Sequence, residues 1–162
     1  MGGGEFVFPD AVDITGIRWY GYYNCKIDPV GHYLISVFIS FLSDSDGLPA
    51  SESIYSQQVQ AHVREPTVRV VPSPASAFYY QVYVHTVDSL PPLSILPGRR
   101  TWISISEAPS SCEWIWNRGS SGDTGNSAWG DRESSGRFSK WRQLEGDLAF
   151  AVYGRKIRTA AR

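Results

Sequence analysis

YLISVFISF, residues 33–41, decides the class of this chain. Its side chains alternate without a break: Tyr33, Ile35, Val37, Ile39 and Phe41 fall on one face, and Leu34, Ser36, Phe38 and Ser40 on the other. A period of two belongs to an extended strand, because successive Cβ atoms point to opposite faces. The first set is assigned to a core, and the second to solvent or to a second layer.

The same pattern recurs on both sides. VDITGIRWYGYYN, residues 12–24, reads as a long curved strand in which Gly16 marks a bulge or a close backbone approach. Val12 and Ile14 point inward before it, and the phase shift lets Ile17 and Trp19 point inward after it. Arg18, Tyr20 and Tyr22 then share the opposite face, which is either a ligand surface or a set of side chains packed on a neighbouring strand. AFYYQVYVHTV, residues 77–87, reads as one strand with Tyr80, Val82, Val84 and Thr86 opposed to Tyr79, Gln81, Tyr83, His85 and Val87. TWISIS, residues 101–106, places Ile103 and Ile105 in a core and turns Trp102 away from them. Residues 52–63 are polar enough for a sheet edge, and prolines at 66, 72 and 74 interrupt the next stretch. Weaker strand patterns cover residues 5–8 and 136–141, and residues 147–153 close the series with Leu148, Phe150 and Val152 inward.

Turn residues separate these runs, and neither an amphipathic helical pattern nor an internal repeat appears. The expectation is an all-β chain folded as an antiparallel β-sandwich, jelly-roll-like. Residues 1–11 read as a leader or first short strand, with MGGG as its flexible start, residues 12–154 as a single β-sandwich domain, and residues 155–162 as a basic, solvated tail.

Composition narrows the function. Lys+Arg 15 against Asp+Glu 16 leaves a formal net charge of -1, so no overall positive field recruits nucleic acid. No apolar run reaches the roughly 20 residues of a membrane-spanning helix, and MGGGEFVF has neither the charged nor the hydrophobic region of a signal peptide. Cys25 and Cys112 form no metal-ligand spacing; they either pair as one disulfide in an oxidising compartment or remain buried thiols.

The stretch SSCEWIWNRGSSGDTGNSAWG, residues 110–130, carries the strongest binding signature. Aromatic rings cover the apolar face of a sugar, while amide, carboxylate and guanidinium groups hydrogen-bond its hydroxyls. Trp114, Trp116, Asn117, Arg118, Asp123, Asn126 and Trp129 form the candidate ligand-binding set. Alternation also puts Trp114 and Trp116 on one strand face, where they serve equally well as core residues, so Trp129 beside Gly130 is the better surface candidate. Asp44-Ser45-Asp46-Gly47 opens like a calcium loop but lacks the later bidentate Glu. No cofactor is expected, and Asp44 and Asp46 are held only as a calcium alternative to an ordinary Asp-Gly turn. His32, His62 and His85 stand on separate segments, no GxSxG is present, and no glycosidase spacing joins Glu107, Glu113, Asp123, Asp131, Glu133 or Glu145.

Five pieces occur in a particular order: ITGIRWYGYY (14–23), SFLSDSDGLPAS (40–51), LPGRRTWISIS (96–106), CEWIWN (112–117), and SAWG followed by GDLAFAVYG (127–130, 146–154). That order resembles the Trp-rich β-sandwich modules of secreted bacterial proteins, many of which carry a PEP-CTERM type sorting tail. The resemblance spans about residues 12–154 and implies the sandwich fold and an extracytoplasmic setting. It brings no catalytic residues, and the basic ending here departs from a sorting tail.

The combined reading is a non-catalytic module that binds a carbohydrate or a cell-surface partner. The alternatives are a structural or assembly module packing through its aromatic surface, and a glycan-processing enzyme.

Overall fold

The computed structural model describes residues 2–24, 33–64, 70–72, 79–107, 113–116, 127–132, 138–144 and 148–157. Among them lie thirteen strands and no helix: β1 Gly2–Val7, β2 Val12–Asn24, β3 Tyr33–Ser45, β4 Leu48–Arg64, β5 Val70–Pro72, β6 Tyr79–Gln81, β7 Tyr83–Val87, β8 Leu93–Ile95, β9 Arg100–Glu107, β10 Glu113–Trp116, β11 Ser127–Arg132, β12 Phe138–Leu144 and β13 Phe150–Lys156. An antiparallel sheet of 11 strands runs β10-β2-β7-β4-β3-β9-β1-β11-β12, with β8 and β13 also paired to β2, and β5 and β6 form a separate pair. The chain is therefore all-β, as its alternation predicts, and the large sheet is not closed into a barrel.

Strand β2 is the branch point. One edge pairs first with β8 and then with β7, and the other edge with β13 and β10. The expected bulge makes this possible: Tyr153 lies opposite Gly16 and Gly154 opposite Ile14, so Thr15 is skipped. The freed Thr15 carbonyl accepts a hydrogen bond from Leu90 N at 2.8 Å. A Cβ on Gly16 would stand 2.6 Å from the Val87 carbonyl oxygen, which is why a glycine occupies the bend. The phase shift works as expected, with Val12, Ile14, Ile17 and Trp19 all buried.

The main core draws Ile14, Ile17 and Trp19 from β2, Val37, Ile39 and Phe41 from β3, Ile103 and Ile105 from β9, and Trp116 from β10. Phe6 of β1 meets Phe150 of β13 edge-on at 6.4 Å, although β2, β7, β4, β3 and β9 lie between those two strands in the sheet. The sheet is thus curled around its apolar face. Each fully buried Ile or Phe side chain contributes roughly 1.5–3 kcal/mol of transfer free energy, which is what the curling gains. Trp102 points away from Ile103 and Ile105, as expected, into a second cluster with Leu42 and Ala128. Both faces of β9 are consequently buried.

Four expectations change. Gly2–Gly4, read as a flexible start, belong to β1, which is paired on one side with β9 and on the other with β11. The run 77–87 is not one strand: it breaks at Val82, leaving β6 with β5 and β7 between β2 and β4. The edge strand expected over 52–63 is the longer β4, interior in sheet order, although only His62, Val63 and Arg64 pair with β7. The basic tail begins as strand, since Arg155 lies opposite Asp13 and Lys156 opposite Val12, and Lys156 Nζ meets Asp10 Oδ2 at 2.8 Å.

Candidate functional site

The tryptophan-rich set divides. Asn117, Arg118, Asp123 and Asn126 lie outside the described residues. Trp114 and Trp129 have described strand positions only: Trp114 pairs with Tyr23, and Trp129 pairs with Gly2 and with Arg142. Trp116 belongs to the core. It is 7% exposed, meets Phe150 edge-on at 5.9 Å, and donates from Nε1 to the Ala149 carbonyl at 3.2 Å. Of the two roles open to Trp116, packing is the one its surroundings support.

The Asp44 turn is engaged in holding the hairpin. Asp46 and Gly47 have φ of 55° and 83°, the left-handed pair that a tight two-residue hairpin between Ser45 and Leu48 requires. Asp44 Oδ1 accepts from Trp102 Nε1 at 2.9 Å, and Oδ2 from Gly47 N at 3.3 Å. Arg100 Nη1 stands 3.8 Å from Oδ1. A calcium ion at Asp44 would have to compete with these donors. Among the described residues, no group of three or more His, Cys, Asp or Glu side chains is placed to hold a metal ion. Cys25 and Cys112 lie outside the described residues.

The strand register assembles a different constellation on the outward face of the sheet. Arg18, already singled out with Tyr20 and Tyr22, lies opposite Thr86 on one side and Ala151 on the other. Thr86 lies opposite His62, and His62 opposite Leu34. One row therefore reads Leu34, His62, Thr86, Arg18, Ala151. The adjacent row reads Arg64, Val84, Tyr20. Directly paired residues share a face, so these side chains form one surface, about 10 Å from His62 to Arg18 at the usual strand spacing. His62, Arg64 and Leu34 are exposed, and Arg18 and Tyr20 are half-buried. Tyr153 completes it: the residue is 43% exposed, and the Arg18 guanidinium carbon sits 5.6 Å from its ring centroid.

Two polar atoms in this surface stand out. Arg18 Nε and Thr86 Oγ1 are both shut off from solvent, and neither has a hydrogen-bond partner among the described residues. Neither row contains a carboxylate. Behind the sheet the support is rigid: Trp19 and His85, each the next residue along from Arg18 and Thr86, stack at 5.2 Å with both side chains fully buried. Burial pushes the His85 imidazole down to about 3, against the opposing pull of backbone hydrogen bonds at Tyr83 and Trp19. It is a neutral core group.

Local pattern showed only the β2 contribution to this surface. His62, Arg64, Thr86 and Tyr153 come from three other strands, and only the pairing register reveals that they adjoin Arg18 and Tyr20. No protein-family model, curated protein or solved structure matches the chain.

Proposed function

We propose that this chain is a non-catalytic module, a β-sandwich of jelly-roll-like type, that works in an extracytoplasmic setting and binds carbohydrate on the outward face of β4, β7, β2 and β13. The observation that carries the reading is the grouping of Tyr20, Tyr153, Arg18, His62 and Arg64 on one surface with a packed core behind it. Rings offer an apolar platform to a pyranose, the cationic and imidazole groups hydrogen-bond its hydroxyls, and strands hold both more firmly than loops do.

A pull-down against a panel of insoluble and immobilised polysaccharides tests this. The double variant Tyr20→Ala/Tyr153→Ala is expected to lose binding while keeping the wild-type thermal transition to within a few degrees. Trp129→Ala serves as the comparison. Loss only with Trp129→Ala would move the site to the tryptophan-rich loop, and no binding to any member of the panel would remove the carbohydrate reading.

A further inference from the structure

The same surface points to the chemical class of sugar, an inference that rests on the carbohydrate reading above. We propose that the ligand is an acidic polysaccharide whose uronate carboxylate is received by Arg18, with the Thr86 hydroxyl beneath it.

A guanidinium N–H withdrawn from water is costly unless something accepts from it. Arg18 Nε is in that condition among the described residues, and the guanidinium lies over the Tyr153 ring face, which attracts a cation but accepts no in-plane hydrogen bond. Its cross-strand partner Thr86 is 2% exposed and carries a hydroxyl that also lacks a partner among the described residues. The two desolvated donors belong to directly paired residues, so a single acceptor bound between them can serve both. A planar carboxylate takes two parallel N–H bonds from a guanidinium and leaves a lone pair for a hydroxyl. Side-chain movement of this size is common on binding: Arg18 lifts from Tyr153 to take the carboxylate and uncovers Thr86.

Charge around the pair agrees. Arg64 and His62 flank it on β4, and against these cationic and imidazole groups stands the exposed carboxylate of Asp88, two residues past Thr86 and beside Gly16. Neutral sugar hydroxyls would not need that asymmetry, whereas an anionic chain running across the strands would meet Arg18 and Arg64 in turn. The freed ring face of Tyr153 then lies beside the sugar that carries the carboxylate.

The experiment compares polygalacturonate, the same polymer after reduction of its carboxyl groups, and dextran sulfate, for wild type and for Arg18→Gln, Arg18→Lys and Thr86→Val. Wild type is expected to bind polygalacturonate at least about tenfold more tightly than the carboxyl-reduced polymer, the usual size of a charge-assisted hydrogen bond. Arg18→Gln is expected to lose that preference. Arg18→Lys should recover only part of it, because lysine keeps the charge without the fork, and Thr86→Val should weaken uronate binding several-fold. Equal binding to the native and reduced polymers overturns the acidic-ligand proposal while leaving the carbohydrate reading intact. Binding to none of the three removes both. Preference for dextran sulfate, or an undiminished uronate preference in Arg18→Lys, overturns the carboxylate fork. If Arg18→Gln fails to fold, Arg18→Lys and Thr86→Val decide the matter.

Discussion

His85 shows how a single residue ties this fold to pH. Its ring is fully buried, stacks on Trp19 with planes 13° apart, and is held neutral by loss of hydration, with its protonation pushed down to about 3. In the unfolded chain a histidine protonates near 6.5, so between about pH 6.5 and 3 the unfolded state binds the extra proton and the folded state does not. The contribution is fully present above pH 6.5 and is lost as pH falls through that window, with a slope of at most about 1.4 kcal/mol per pH unit. His85→Gln removes the titrating group. Denaturant unfolding from pH 7 to pH 4 is expected to show a shallower decline for the variant than for wild type, whatever its stability at pH 7. Parallel declines would mean that other groups carry the acid sensitivity. Alternation of residues 83–87 placed His85 on the face of Val87 and Tyr83, which is the face that turns inward, but its burial and its stacking partner depend on which strand lies beside it. Cross-strand partnership is invisible in a local pattern, and Arg18 and Thr86 escaped as a pair for the same reason.

Among the elements, β1 is the one whose sequence reads least like its structure. Three successive glycines have weak strand propensity and no side chain to reveal a face. Yet Gly2, Gly3 and Gly4 lie opposite Ile105, Ser104 and Ile103 on one side and Trp129, Ala128 and Ser127 on the other. What selects glycine is bulk on both faces. A Cβ on Gly4 would collide with the Phe150 ring, and one on Gly3 would come within 3.4 Å of the Trp141 ring. Gly4→Val is accordingly expected to destabilise by about 1–3 kcal/mol, the usual range for overpacking a core, as a lower denaturant midpoint with unchanged slope. A wild-type midpoint would show that Phe150 yields at little cost. The ladder between β2 and β10 bears on the thiols in the same way. Asn24 at the end of β2 pairs with Glu113 at the start of β10, and Cys25 and Cys112 are the adjoining residues in sequence. Alkylation of the unfolded protein with and without reductant is expected to label both thiols only after reduction. Labelling without reductant would mean that the two remain thiols.

At the scale of the whole molecule, β2, β3 and β9 were legible because Ile, Val and Phe alternate against Ser and Tyr over long runs. The order of strands was not, since the pairings that define it join distant parts of the chain: β1 with β9 and β11, β2 with β13, β3 with β9. Such non-local pairing requires loop-closure entropy to be overcome before any burial is gained, so the fold is expected to form slowly for its size. It also makes the first strand indispensable. Among the described strands, β1 is the one that joins β9 to β11, and through β11 to β12, in the order of the sheet. It further contributes Phe6, which meets Phe8, Phe41 and Phe150 edge-on at 5.3, 6.2 and 6.4 Å. Removing residues 1–7 would leave the facing edges of β9 and β11 unpaired and open an aromatic gap in the core. Exposed strand edges are templates for pairing with other chains, so the truncated protein is expected to aggregate and to lack a cooperative thermal transition. Replacing Phe6 alone with Ala keeps the backbone ladder and removes only the half-buried ring, at a cost below the roughly 3–5 kcal/mol of a fully buried Phe. Comparing the two by light scattering and thermal melting separates the contributions: the point variant should melt cooperatively at lower temperature without aggregating before the transition. A truncated chain that remained monomeric with the wild-type melting temperature would show that β9 and β11 find each other without β1.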